Sequence, residues 1–242
     1  MTIESRQRRR ANREIFTERV FRRFTLTQRW EHGLLILTFT ILLLTGLPQK
    51  YFQLWGHYII TTPDRLELIR TIHHTTAIVL ILEAAYHVVH ALILMVRGRL
   101  PAAMFPTWKD IVDAWQMIKY LLFLSNEKPE FGKYNFEQKF TYWFLFFGIG
   151  IMIVTGFILW FPIVWTRVFP GGTIPAAQLA HSDEAIVATI FLVIWHFYHV
   201  HIERLNLSIF TGWLNERDMQ RYHELEYKRL AGQATTAEGE AD

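Results

Sequence analysis

The sequence predicts an all-α membrane protein: a bundle of four transmembrane helices with an amphipathic helix on the cytoplasmic surface and both termini in the cytoplasm. Of the 242 residues, 51% are apolar and only 19% are charged. The apolar residues form long continuous blocks, which is typical of membrane spans rather than of a soluble core. Arginine and lysine gather outside these blocks.

Four apolar segments are long enough to cross a bilayer, which takes about 20 helical residues. They cover residues 31–54, 69–96, 140–160 and 182–202. Residues 30–210 are therefore predicted to form the transmembrane domain, between a basic N-terminal segment (1–29) and a polar C-terminal tail (211–242). Within the tail, a short helix is expected after Trp213 and disorder at the acidic end.

The distribution of basic residues sets the predicted orientation. They concentrate in the tail, in the loop between the second and third spans, and in the N-terminal segment, which contains Arg8, Arg9, Arg10, Arg22 and Arg23. By the positive-inside rule, all three regions are cytoplasmic. The net charge of +3 is small, so these residues indicate orientation and not nucleic-acid binding. A multi-pass protein of a bacterial cytoplasmic (inner) membrane, surrounded by lipid, is expected.

The loop between the second and third spans contains its own apolar pattern. Its apolar residues recur at helical spacing with lysines between them. They are Trp108, Ile111, Trp115, Ile118 and Leu122. This pattern predicts an amphipathic helix lying on the membrane surface.

Two pairs of histidines inside apolar spans indicate the chemistry. His73 and His87 are 14 residues apart, and His181 and His196 are 15 apart. At about 1.5 Å and about 100° per residue, each pair spans roughly 21–22 Å and lies on nearly one helix face. Imidazole is an axial ligand of heme iron, and histidines in apolar helices are otherwise costly. The spacing predicts stacked b hemes, one at each side of the bilayer.

The predicted orientation places His73 and His181 at the outer level, where they form one ligand pair. The inner level is ambiguous. His196 could pair there with His87 or with His32, which begins the first span. If His199 or His201 is also recruited, a third heme fits, so the sequence predicts two hemes or three.

At this point the sequence resembles the membrane cytochrome b subunits of formate dehydrogenase and related quinone-linked respiratory oxidoreductases. The most specific stretch is residues 132–162, GKYNFEQKFTYWFLFFGIGIMIVTGFILWFP. It is similar to that family's Gly-Lys-Tyr-Asn, Gln-Lys, Trp, Thr-Gly, Trp and Pro pattern. The segments QRWEHGLL around His32, RTIHH around His73 and WHFYH around His196 also match.

The resemblance implies which residues bind the cofactors. The outer heme would take the His73 and His181 positions, and the inner heme the His32 and His196 positions. A quinone, menaquinone or ubiquinone, would bind near the inner heme beside Asn135 and Gln138. The chain departs from the family pattern in three ways: it has His87, its fourth-span pair is one residue further apart, and Glu137 replaces a small residue.

Other polar and small residues in the spans allow two interpretations each. Glu83, one turn before His87, is either a functional group or a neutral, hydrogen-bonded acid. Gly148, Gly150 and Gly156 allow close approach of a helix or of a flat macrocycle. Helix-end arginines could pair with heme propionates or with the interface; they are Arg29, Arg70, Arg97 and Arg204.

These observations favour a heme b subunit that carries electrons across the membrane between an outer redox partner and a quinone site near the cytoplasm. The chain has no cysteine, which excludes iron–sulfur clusters, disulfides and c-type heme attachment within it. An iron–sulfur or multiheme c-type subunit and a catalytic subunit are therefore implied as partners. The alternatives are a membrane-bound di-iron oxygenase or desaturase, whose ligands must converge at one depth, and a heme-free membrane anchor.

Overall fold

The computed structural model describes residues 19–99, 102–202 and 205–239. Within these ranges, four helices are long and apolar enough to cross a membrane, which confirms the predicted number. They are α1 (Leu26–Lys50), α2 (Pro63–Val96), α4 (Phe136–Trp160) and α5 (Thr173–Ile202). Arg8, Arg9, Arg10 and Arg204, which the sequence analysis singled out, lie outside the described residues.

The helices begin earlier than the apolar segments suggested. Helix α2 begins at Pro63 and not at residue 69, because Thr62 caps it by accepting a hydrogen bond from the Arg65 amide at 3.3 Å. Helix α5 begins at Thr173 and not at residue 182. Its Pro175 lies in the first turn, where a backbone N–H would have no helical partner in any case. Polar first turns were therefore excluded by a criterion based on apolar composition.

The first span also ends earlier than predicted, at Lys50 rather than near residue 54. The chain then turns back through a short 3₁₀ helix, Gly56–Tyr58. A side chain at Gly56 would collide with the backbone of Pro48, so this close return of the chain requires glycine.

The chain divides into two compact units. The bundle unit comprises the described parts of Thr27–Leu100 and Thr141–Asn206 and contains most of the four long helices. The mixed unit comprises the described parts of Met1–Leu26, Pro101–Phe140 and Leu207–Asp242.

A two-stranded antiparallel sheet in the mixed unit was not predicted. Strand β1 (Val20–Arg22) pairs with strand β2 (Trp213–Asn215), with Phe21 opposite Leu214. Gly212 precedes β2 with a φ of 87°, and its carbonyl accepts a hydrogen bond from the Arg23 amide at 2.8 Å. Because the two strands are far apart in sequence and only three residues long, no local pattern marks them.

The tail after β2 is more helical than predicted. Helix α6 (Glu216–Tyr222) is capped by Asn215, and α7 (Glu224–Gly239) follows it at once, where one short helix and a disordered end were expected. Met219 and His223 are the most deeply buried side chains here. The Nδ1 of His223 lies 3.0 Å from the Gly132 carbonyl, which places residues 132–135 against the tail.

The amphipathic segment forms helix α3 (Trp108–Leu121) in the same unit. Its acidic side faces inward: Asp113 is buried, and Asp110 lies 2.8 Å from the Lys139 ammonium. Burial raises the pKa of Asp110, but hydrogen bonds from Lys139 and Thr107 outweigh it and leave that pKa below its ordinary value. Its apolar residues are exposed, Trp108 by 76% and Trp115 by 61%. This is the reverse of a helix on the surface of a soluble protein.

Candidate functional site

The first candidate site, called the 73/181 site, joins α2 and α5 in the bundle unit. The imidazole rings of His73 and His181 have centroids 6.4 Å apart and planes inclined by 64°. The Nδ1 of His73 lies 2.9 Å from the Thr45 hydroxyl of α1. The Nδ1 of His181 lies 3.0 Å from the Thr155 hydroxyl of α4. Four helices therefore supply one ring or one hydroxyl each.

The threonine contacts fix the tautomer of both rings. The Thr45 hydroxyl donates its single proton to the Ile41 carbonyl at 2.7 Å, so it accepts a hydrogen bond from His73 Nδ1–H. Thr155 does the same, because it donates to the Ile151 carbonyl at 2.7 Å. Each ring then has its proton on Nδ1 and its lone pair on Nε2. A neutral imidazole with a free Nε2 lone pair is the form that binds a metal.

A glycine follows each of these threonines and lies against the same ring. A Cβ on Gly46 would lie 3.4 Å from His73 Cε1, and one on Gly156 would lie 3.3 Å from His181 Cε1. The Thr-Gly dipeptide is thus a repeated device that serves one histidine in each half of the bundle. The sequence analysis quoted this dipeptide only as part of a family pattern and did not connect it to the histidines.

The second candidate site, called the 32/196 site, joins α1 and α5. The rings of His32 and His196 have centroids 6.3 Å apart, nearly the same separation as at the 73/181 site. The two sites are well separated, since His32 and Thr45 are 13 residues apart on α1. At about 1.5 Å per residue this is roughly 20 Å along the helix axis.

The extra residue between His181 and His196 is accommodated by a change of helix type. In a regular α-helix, 15 residues leave the second side chain about 60° beyond the first. Here α5 changes to π-helical hydrogen bonding at Leu192–His196 and again at Tyr198–Ile202. A π turn holds more residues than an α turn, so it reduces this angle. The spacing that departs from the family pattern therefore still brings both rings toward their partners.

His87, the other candidate for the inner pair, has both ring nitrogens engaged by side chains. Its Nδ1 lies 2.9 Å from Glu31 Oε2, and its Nε2 lies 2.9 Å from the Tyr142 hydroxyl. Of the two pairings that the sequence left open, the structure brings together His32 with His196 and not His87 with His196. Glu31 and Tyr142 were not identified from the sequence. The position of Glu31 next to His32 was the only local signal.

The remaining span histidines contact aromatic side chains. His199 packs edge-on against Trp195, with centroids 4.8 Å apart, and His90 stacks on Tyr86. His74 stacks on Trp160 at 4.3 Å. Among the residues that the structure describes, no three His, Asp or Glu side chains converge on one point as a di-iron centre requires.

Asn135 and Gln138, the predicted quinone contacts, form a reciprocal cap at the start of α4. Asn135 Oδ1 accepts from the Gln138 amide at 2.8 Å, and Gln138 Oε1 accepts from the Asn135 amide at 3.3 Å. Asn135 also donates to Glu137 Oε2 at 3.2 Å. Burial and the nearby Arg23 charge lower the pKa of Lys133, beside this cap. The cap uses the side-chain oxygens and leaves the amide N–H groups of Gln138 as donors.

The two ring pairs fit a hexacoordinate metal held from two sides. An imidazole nitrogen binds a transition metal at about 2.0–2.1 Å, so two imidazoles on opposite sides of one metal have centroids roughly 6.3 Å apart. The separations of 6.4 Å and 6.3 Å match this value. The Gly46 and Gly156 positions leave the 73/181 rings free of crowding from the helix behind them.

Comparison with known proteins places these sites in a family. A family model described as prokaryotic cytochrome b561 matches residues 23–212. The nitrate-inducible formate dehydrogenase cytochrome b556(Fdn) subunit of Escherichia coli (strain K12) is 23% identical over 125 residues, 52% of this chain and 57% of that protein. The chain therefore spans little more than half the length of this relative.

Two further relatives are similar. The formate dehydrogenase cytochrome b556(fdo) subunit of Escherichia coli (strain K12) is 22% identical over 107 residues, 44% of this chain and 50% of that protein. The formate dehydrogenase cytochrome b556 subunit of Haemophilus influenzae (strain ATCC 51907 / DSM 11121 / KW20 / Rd) is 24% identical over 201 residues. This last alignment covers 83% of the chain and 79% of the relative, and so includes all four long helices' central parts.

Proposed function

Because the chain belongs to the prokaryotic cytochrome b561 family, we propose that its two ring pairs each hold one heme b. The family and the four apolar helices make it a heme-containing, multi-pass membrane electron-transfer subunit. The finer assignment is ours: His73 and His181 ligate one heme, and His32 and His196 ligate the other. The observation that carries it is the ring separation of 6.4 Å and 6.3 Å at two levels of one bundle.

The chain's own residues prepare these ligands. Thr45 and Thr155 hold the Nδ1 protons of His73 and His181, which leaves Nε2 for the iron and increases ligand basicity. When bound, heme b supplies a one-electron carrier at each level. His87 is assigned a different role, because Glu31 and Tyr142 occupy its ring nitrogens. His199, packed on Trp195, is assigned to packing and not to a third heme.

The orientation follows from the basic residues. The regions that contain most of them are assigned to the cytoplasm, so both termini and helix α3 lie on that side of a bacterial cytoplasmic membrane. The 73/181 site then lies near the outer surface and the 32/196 site near the inner surface. Electrons pass between them along the bundle.

A quinone, menaquinone or ubiquinone, is proposed to react near the cytoplasmic side. The amide N–H groups of Gln138 are free of the cap and suit a quinone carbonyl. At the outer side we infer a partner subunit with iron–sulfur clusters or multiple c-type hemes, attached to a catalytic subunit. The relatives support this, because they are named as cytochrome subunits of formate dehydrogenase.

Helix α3 is proposed to lie on the membrane surface. Its buried Asp113 and paired Asp110 turn the apolar side, with Trp108 and Trp115, away from its own unit. The chain has no cysteine, so a single Trp115→Cys variant can be labelled selectively. We expect a fluorophore there to be quenched by brominated lipids in proteoliposomes, and one at Gln116→Cys to be quenched less. Equal quenching at both positions would contradict this placement.

The experiment that tests the heme assignment is a pyridine hemochrome measurement on the purified chain. The wild type should contain two b hemes per chain. A His32→Ala variant should contain one and a His87→Ala variant should retain two, since His87 is not assigned as a ligand. Loss of a heme in His87→Ala with full content in His32→Ala would reverse the inner assignment. No heme in the wild type would reject the proposed function.

A further inference from the structure

Tyr142, His87 and Glu31 form a continuous hydrogen-bonded chain across three helices of the bundle unit. Tyr142 lies on α4, His87 on α2 and Glu31 on α1, and both links measure 2.9 Å. The arrangement is not needed to hold a heme, and the family pattern has no histidine at position 87. A histidine bonded on both nitrogens inside apolar helices is costly unless it has a function.

We propose that Tyr142 and His87 are the proton donors for quinone reduction. The inference rests on the proposed function, in which a quinone is reduced near the cytoplasmic side. Reduction of a quinone to the hydroquinone takes two electrons and two protons. The two electrons come from the two b hemes, one from each, and the chain of three side chains supplies the protons.

The geometry sets the direction of transfer. A carboxylate only accepts, so Glu31 takes a hydrogen bond from His87 Nδ1–H. In the imidazolium form, Nε2–H of His87 donates to the Tyr142 oxygen, and the Tyr142 proton points to the quinone. The quinone oxygen takes the phenol proton while the phenol oxygen takes the Nε2 proton. His87 is left neutral, with its Nδ1 proton still on Glu31, and a proton from water restores the imidazolium before the second transfer.

The charges around His87 support an imidazolium there. Glu31 faces it from α1 and Tyr142 from α4. On its own helix, Glu83 is close enough to interact electrostatically with both Glu31 and His87, and Glu83 Oε2 is buried without a hydrogen-bond partner among the described residues. His90 Nδ1 lies 3.9 Å from Glu31 Oε1. Two carboxyl groups therefore accompany two imidazoles, which favours a shared positive charge.

The test compares two oxidants of the same reduced chain. Purified full-length protein in detergent is reduced with dithionite, freed of excess reductant, and mixed in a stopped-flow instrument with menadione or with ferricyanide. Menadione must take protons with its electrons, whereas ferricyanide takes one electron and no proton. The variants are His87→Gln and Tyr142→Phe, and the matched controls are His57→Gln, in the loop after α1, and Tyr86→Phe, which stacks on His90.

We expect both variants to lower the maximum rate of heme oxidation by menadione roughly 100-fold, the usual scale of general acid catalysis, with an unchanged half-saturating concentration. Oxidation by ferricyanide, heme content and both controls should stay at wild-type values. An unchanged maximum rate in both variants, or a change confined to half-saturation, would overturn the inference. A wild type oxidised by ferricyanide and not by menadione would instead remove the proposed quinone reaction, and the inference with it.

Discussion

The 73/181 site and the 32/196 site have the same ring separation and different surroundings. At the 73/181 site, two threonines on α1 and α4 hold the rings, and a glycine follows each threonine. At the 32/196 site, one ring follows Glu31 in sequence and the other lies at the end of a π turn. The first site repeats one device on both sides, whereas the second has no such symmetry.

This difference suggests a division of labour. Neutral hydroxyl partners fix the two rings of the 73/181 site and add no charge, which suits a site that passes electrons alone. The 32/196 site adjoins, through Glu31, a chain of groups that can exchange protons. Electron transfer would then be coupled to protons at one level of the bundle only.

The largest expected effect comes from removing one ligand on α5. His181→Ala should reduce the heme content from two to one per chain and leave the heme of the 32/196 site with its wild-type midpoint potential. His196→Ala should do the reverse. Redox titration of the two purified variants would reveal the potential of each heme separately. If either substitution removed both hemes, the sites would not be independent.

The threonine contacts should set the potential of one heme only. Thr45→Val and Thr155→Val remove the acceptor for His73 and His181, so the ligands become less basic and the ferric state is less stabilised. We expect the midpoint potential of the 73/181 heme to rise by on the order of 10–60 mV, up to about tenfold in the equilibrium constant.

The heme of the 32/196 site should not shift in either threonine variant. The matched control is Thr38→Val, because Thr38 is a buried threonine of the same helix that donates to the Leu34 carbonyl of α1. A shift as large in Thr38→Val would show that the potential reports helix packing and not the ring contact.

The smallest effect is expected at the glycines. Gly156→Ala would place a methyl group 3.3 Å from His181 Cε1, so the ring must move by a few tenths of an ångström. We expect a changed electron paramagnetic resonance signal from the 73/181 heme with full heme content. Gly150→Ala is the control, since nothing lies within 4 Å of its added Cβ. Identical spectra for the two variants would mean that Gly156 plays no part in holding the ring.

Much of the site was accessible from the sequence because histidine is rare inside apolar spans. The spacing of His73, His181 and His196 led to the idea of two levels without any coordinates. The choice between His32 and His87 was not accessible, because both lie at a similar predicted depth. It depends on which side chains reach each ring, and those belong to α1 and α4. Likewise, the Thr-Gly dipeptides have no meaning until helix packing brings each beside a histidine.

The sequence by itself determined the number of membrane helices, their approximate positions and the two levels of histidines, because apolar length and helical period are properties of a single segment. Only the tertiary structure decided the ring partners, the tautomers, the strand pairing of β1 with β2 and the inward turn of the α3 aspartates. These depend on contacts between segments far apart in the chain. A hydrogen bond such as that between Thr155 and His181 exists only when two helices are packed in one register.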